Sequence, residues 1–170
     1  MAEVFKLYKL IVLYMLDKME FPLTNSQISE FILAEGYMDY FKLQQVLAEL
    51  EESGFVREEA AHSRTFYHLT DEGAQTLYYF KRDISTDIQQ DIDQFLHDKM
   101  YELKNEFSVR AGYYKNADGD YSVCCKVIEN GSPLIELTLT VPSEEAAISA
   151  ANNWPQKNQE IYAFAMQKLL

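Results

Sequence analysis

The chain has 170 residues, 48% of them hydrophobic and 14% aromatic, with 15 Lys and Arg against 27 Asp and Glu for a net charge of −12. That apolar content excludes a disordered chain and suits one domain or two small ones, while the charge argues against a strong nonspecific grip on DNA, which comes from Lys and Arg displacing counterions. The apolar run from Leu10 to Leu16 is too short for a bilayer, which needs about 20 residues, and no small-residue cleavage site follows it, so a soluble protein of the reducing cytoplasm, with no membrane partner, is expected.

In chain order, residues from about Val4 to Lys18 place Phe5, Leu7, Tyr8, Ile11, Val12, Tyr14, Met15 and Leu16 on nearly every side of a helix, which predicts burial on most sides. The "FPL" stretch breaks it. Thr24 opens the next helix with Gln27 three residues on, a capping box. Gly36 is its stop. Asp39 caps a third helix whose stripe is Leu43, Val46, Leu47 and Leu50, at i, i+3, i+4 and i+7 spacing. Gly54 ends it. Strands near Phe55–Glu59 and Thr65–Thr70 follow, joined by "AAHSR". Thr70 and Asp71 cap a fourth helix reaching about Arg82, and Ser85 or Thr86 caps a long helix to about Glu106.

The last third reads as a meander: "FSVRAGYYK", the turn "NADG", "DYSVCCKVIE", the hairpin signal "NG", then "PLIELTLTV". A helix starts at Pro142-Ser143, and Pro155 starts a separate closing helix. Cys124 and Cys125 are neighbours in the second strand and point to opposite faces. They form neither an ordinary disulfide nor a metal pair. The expected fold class is α+β, a winged helix-turn-helix over residues 1–82 followed by a three-stranded antiparallel meander with packing helices over residues 83–170, the long helix serving as connector.

The order helix, helix, helix, hairpin, helix, carried by "VLAELEESGFV", "REEAAHSRTFYHLT" and "DEG", resembles the MarR- and PadR-like winged-helix regulators over about Val4–Arg82. The whole chain is also similar to an uncharacterised winged-helix family of Gram-positive anaerobes, a domain of unknown function. The first resemblance implies DNA as partner, with the third helix in the major groove and the hairpin wing on the backbone. Gln44 and Gln45 then stand where bases are read, since Gln bonds adenine in a bidentate way. Ser26 and Lys42 are implied phosphate contacts, and His62, Ser63 and Arg64 would lie at the wing tip. The chain departs from the pattern in its charge: Arg57 and Arg64 stand among Glu49, Glu51, Glu52, Glu58, Glu59, Asp71 and Glu72. A homodimer setting two sparse basic tips on two half-sites would offset that scarcity. The alternative is a winged-helix adaptor that binds protein through an exposed Phe41.

Other constellations lead elsewhere. "NADGD" starts like a calcium loop but has Tyr121 and Val127 where such a loop needs Gly and Glu, so it reads as a hairpin turn. Asp83, Asp87, Asp91, Asp93 and Asp98 read as a solvated helix face. His62, His68 and His97 lack ligand spacing, and no nucleophile motif or phosphate loop is present. An enzyme, a cofactor and a metal are not expected. The clustered aromatics Tyr78, Tyr79, Phe80, Tyr113 and Tyr114 exceed what one face buries, and suggest a dimer interface or a junction between the halves.

Overall fold

The computed structural model describes residues 2–61 and 64–170. It is an α+β structure with two three-stranded antiparallel sheets. Two compact units divide between Leu103 and Lys104.

The first unit runs α1 (Ala2–Asp17), β1 (Leu23–Thr24), α2 (Asn25–Glu35), α3 (Tyr40–Glu52), β2 (Val56–Ala61), β3 (Arg64–Leu69), α4 (Asp71–Phe80), a 3-10 turn (Lys81–Asp83) and most of α5 (Thr86–Ser108). Local chemistry sets the ends. Thr24 Oγ1 accepts from the Gln27 amide while Gln27 Oε1 accepts from the Thr24 amide, the reciprocal capping box. Gly36, at φ 69°, ends α2 in the left-handed conformation that a side chain disfavours. Asp39 Oδ1 accepts from the Lys42 amide and caps α3. Ser85 Oγ accepts from the Ile88 amide and caps α5.

Every residue from Leu10 to Leu16 in α1 is buried, so this helix touches neighbours all round. Against it lie Ile28, Phe31 and Ile32 of α2, Leu43, Val46, Leu47 and Leu50 of α3, and Leu77 of α4, all in one core. The two-residue β1 was not expected. It pairs with β3 through Leu23↔Tyr67 and Thr24↔Phe66, giving the sheet order β1-β3-β2. The β2–β3 hairpin is in register from Val56↔Leu69 to Ala61↔Arg64, so its strands extend further towards the tip than the "AAHSR" connection suggests.

The sequence puts the domain boundary at residues 82 and 83, whereas contacts divide the chain after Leu103. The reason is packing: Ile92, Leu96 and Leu103 of α5 are buried in the first core. Polar pins hold the same helix, with Tyr14 Oη donating to Asp93 (2.9 Å), Tyr37 Oη donating to Asp91 (2.9 Å) and Lys99 paired with Glu30 (3.3 Å). Burial, with the adjoining carboxylate, pushes both phenols above their ordinary range, so both remain donors at any physiological pH. Asp91 and Asp93 lie exposed, as expected of a solvated face, and from there they also hold α5 through Tyr37 and Tyr14.

The second unit holds β4 (Val109–Lys115), β5 (Tyr121–Glu129), β6 (Ser132–Val141) and α6 (Glu144–Leu169), with β5 central. Asn130 and Gly131, at φ 51° and 78°, form the expected two-residue turn. In the "NADG" turn, Asn116 Oδ1 accepts from the amides of Asp118 and Asp120. The stretch expected to be a hairpin turn is one, and the Asn116 side chain holds its own loop together. Among the described residues no group of His, Cys, Asp and Glu is placed to hold a metal. Val123 and Cys125 of β5 face Ala147 and Trp154 of α6, while Cys124, one residue on, lies half-buried on the other face.

Pro155 does not start a separate helix. It lies inside the 26-residue α6. A proline mid-helix costs about 3 kcal/mol, and anchors on both sides of it offset that cost. Trp154 Nε1 donates to the Lys126 carbonyl of β5, and Asn158 Nδ2 donates to the carbonyls of Trp154 and Pro155.

Gly73 supplies a test of the first unit. A Cβ there would lie 2.1 Å from the Phe55 carbonyl oxygen and 2.9 Å from Leu69 Cδ1. Gly73→Ala should therefore destabilise the first unit by about 2–3 kcal/mol, as overpacking against backbone does. A urea melt that left the midpoint unchanged would contradict this packing.

Candidate functional site

The expected site residues gather around the amino-terminal half of α3. Leu43, Val46, Leu47 and Leu50 face the core, so the helix turns Phe41, Lys42, Gln45, Ala48 and Glu52 outward. Ser26 is exposed in the first turn of α2. Arg64 is exposed at the start of β3, where its backbone pairs with Ala61. His62 and Ser63 lie outside the described residues.

Gln44 departs from the expectation of a free base reader. Its Nε2 donates to Asn25 Oδ1 (3.1 Å) and its Oε1 accepts from Asn25 Nδ2 (2.8 Å), a two-bond amide pair joining α3 to α2. Ser29 Oγ also donates to Asn25, and the Tyr67 hydroxyl, 3.4 Å from Asn25 Nδ2, donates to Glu58 (3.2 Å). One polar chain therefore ties α2, α3, β2 and β3 together. Sequence reasoning missed Asn25, Tyr67 and Glu58, because only the fold brings these positions together.

Gln45 and Glu49 form a second chain. Gln45 Nε2 donates to Glu49 Oε1 (3.1 Å), and Lys9 Nζ of α1 lies 2.8 Å from Glu49 Oε2. The hydrogen bond from Lys9, then that from Gln45, hold the Glu49 carboxyl below its usual range. A carboxylate expected to repel phosphate is thus matched by a cation. Lys9, like Lys6, marks a cationic flank on a strongly apolar helix in the sequence, but its partner 40 positions away is brought to it only by the fold. Glu51 shows the opposite case. Loss of water around it and the nearby Glu58 carboxylate raise its pKa, so uncompensated negative charge remains beside β2.

The loop after α3 is fixed by Thr70. Its hydroxyl donates to the Gly54 carbonyl (2.6 Å) and accepts from the Gly73 amide (3.1 Å), while its amide donates to the Phe55 carbonyl (3.1 Å). One threonine therefore caps α4 and sets the angle at which β2 leaves α3. At the same, carboxy-terminal end of β3, an open cavity of about 330 Å³ lies between the end of α1 and the start of α4, with Asp17, Glu20, His68 and Asp71 in its lining. His68 Nε2 is 2.5 Å from Glu59.

Aromatic exposure marks α3 further. Phe41 is 83% exposed and Tyr40 50%, with the two rings in edge contact at 5.9 Å. Charge marks the unit as a whole. Residues 1–103 carry 9 Lys and Arg against 19 Asp and Glu, so nearly all of the chain's excess negative charge lies in the unit that carries α3.

The amide pair makes a measurable statement. A double-mutant cycle on Asn25→Ala and Gln44→Ala should give a coupling of about 1 kcal/mol, the worth of a hydrogen-bonded contact pair. Strict additivity would mean that Gln44 is not held by Asn25.

Among the described residues, no helix is long and apolar enough to cross a membrane. Comparison with curated proteins and with solved structures found no match. The family model described as "Domain of unknown function (DUF4364)" matches residues 8–169, and the chain belongs to that family.

Proposed function

We propose that the protein is a cytoplasmic, non-enzymatic, DNA-binding transcriptional regulator of winged-helix type, acting as a homodimer, with α3 in the major groove and the β2–β3 hairpin against the backbone. One observation carries this reading. The short β1 between α1 and α2 pairs with β3 beside three helices, an order that supports the winged-helix reading, and the amino-terminal half of α3 has Phe41, Lys42 and Gln45 exposed. The second unit is assigned to dimerisation or sensing.

The geometry redistributes the roles expected from sequence. Gln44 holds the position of α3 on α2, and base reading falls to Gln45, with Phe41 offering apolar contact to a thymine methyl. Lys42 and Arg64 are the phosphate contacts, with Ser26 as a neutral donor. Two cations per subunit make about four phosphate contacts in a dimer, so log affinity should fall with log salt at a slope of about −3 to −4. Selection of bound fragments from a genomic library by the purified protein tests this directly. An enriched motif is expected. On that motif Arg64→Ala should reduce the salt slope by about 2 per dimer, and Gln45→Ala should relax the preference at one base position. Absence of enrichment at low salt would end the DNA reading.

The exposed Phe41–Tyr40 pair on an acidic unit favours a second reading, a winged-helix adaptor that docks protein through the same helix. It predicts that Phe41→Ala abolishes partner capture in pull-downs and leaves the melting temperature unchanged. On the DNA reading, Phe41→Ala weakens only the preference for thymine at the contacted position.

A further inference from the structure

The second half of α6 contributes no fully buried residue to its own unit. Ala147, Trp154 and Asn158 are the buried residues of this helix, and all lie at or before Asn158. From Gln159 onward, roughly 17 Å of helix at 1.5 Å per residue contributes no buried position. Yet this segment is not polar. Ile161, Phe164 and Leu169 are 37%, 62% and 82% exposed. Residues four apart form ridges on a helix. Glu160, Phe164 and Lys168 make one such ridge, and Ile161, Ala165 and Leu169 make the ridge beside it.

We infer that this segment of α6 pairs antiparallel with the same segment of a second copy of the chain, about a two-fold axis at Phe164. This deepens the homodimer part of the proposed function by naming its seam, and does not depend on DNA binding. The charge pattern selects the occupant. A two-fold axis at Phe164 exchanges positions four before and four after it, so Glu160 of each copy, which pairs with Lys157 of its own helix (3.1 Å), also meets Lys168 of the other. Lys168 lies over its own Phe164 ring at 5.8 Å, where it can turn across the seam. No such reciprocity arises by extending α6 in a parallel pair, which would set Glu160 against Glu160.

The area is sufficient. Taking about 150–250 Å² for a full large side chain, Ile161, Phe164 and Leu169, three of the five exposed large apolar residues of this segment, offer roughly 300 Å² per copy. Two copies give roughly 600 Å² of apolar surface, and since interfaces are about 60% apolar the whole seam reaches on the order of 1,000 Å², the threshold for a specific contact.

Sedimentation equilibrium of the full chain over a range of concentrations tests the inference, with far-UV circular dichroism to check folding. Wild type is expected to be a dimer. Phe164→Asp should raise the dimer dissociation constant about 30-fold or more, as loss of a central anchor does, with an unchanged helical signal. Glu160→Lys and Lys168→Glu should each weaken the dimer, and the double variant should restore it. A monomeric wild type, or a Phe164→Asp variant that stays dimeric, would overturn the seam. A double reversal without rescue would overturn the antiparallel register. The readout is oligomeric state alone, so it is independent of whether any DNA is bound.

Discussion

The first unit depends on one constraint: seven consecutive residues of α1, Leu10 to Leu16, are each at most 4% exposed. A helix buried all round has to be enclosed, and each such side chain contributes about 1.5–3 kcal/mol when covered. Helices α2, α3, α4 and α5 supply the cover, with β3. Polar groups on α1 then fix the angular positions that apolar packing leaves loose. Tyr14 holds Asp93 of α5, Lys6 holds Asp83 of the 3-10 turn, and Lys9 holds Glu49 of α3. Dispersion contacts are non-directional, whereas these bonds have one geometry each.

That arrangement carries through to the surface of α3. Four core leucine and valine positions turn the opposite face outward, the Asn25–Gln44 amide pair prevents rotation against α2, and the Lys9–Glu49–Gln45 chain removes one negative charge from the exposed flank. The flank around Glu51 and Glu58 keeps its charge. The exposed face is therefore mixed: apolar and cationic at the amino-terminal end, anionic towards the carboxy-terminal end. Polyanion binding on such a surface requires orientation more than bulk attraction, since long-range steering by an acidic unit opposes approach.

Much of this was legible in the sequence wherever local rules decide structure. The Thr24–Gln27 box, the Asp39, Thr70 and Ser143 caps, the Gly36 stop and the Asn130-Gly131 turn each follow from chemistry within four residues. What was not legible depends on distant partners. β1 is two residues long and exists only because β3 lies beside it. The Gln44 amide looks free until Asn25 is brought to it across 19 positions. α5 was legible as a long helix with an acidic face, but which core its apolar side serves is a tertiary fact. Pro155 obeys its local rule less than it obeys Trp154 and Asn158, which hold the helix on both sides of it. The candidate site was legible as a helix and a hairpin, and its electrostatics were not, because Lys9 and Glu49 are 40 residues apart.

Native-state hydrogen exchange in low denaturant tests most directly whether α1 organises residues 2–103 as one cooperative body that presents a fixed α3. Amides of α1, α3 and α5 as far as Leu103 should converge on a single opening free energy, as one cooperative unit does. Exchange in which α5 opens well below α1, together with the strands that follow it, would contradict the account.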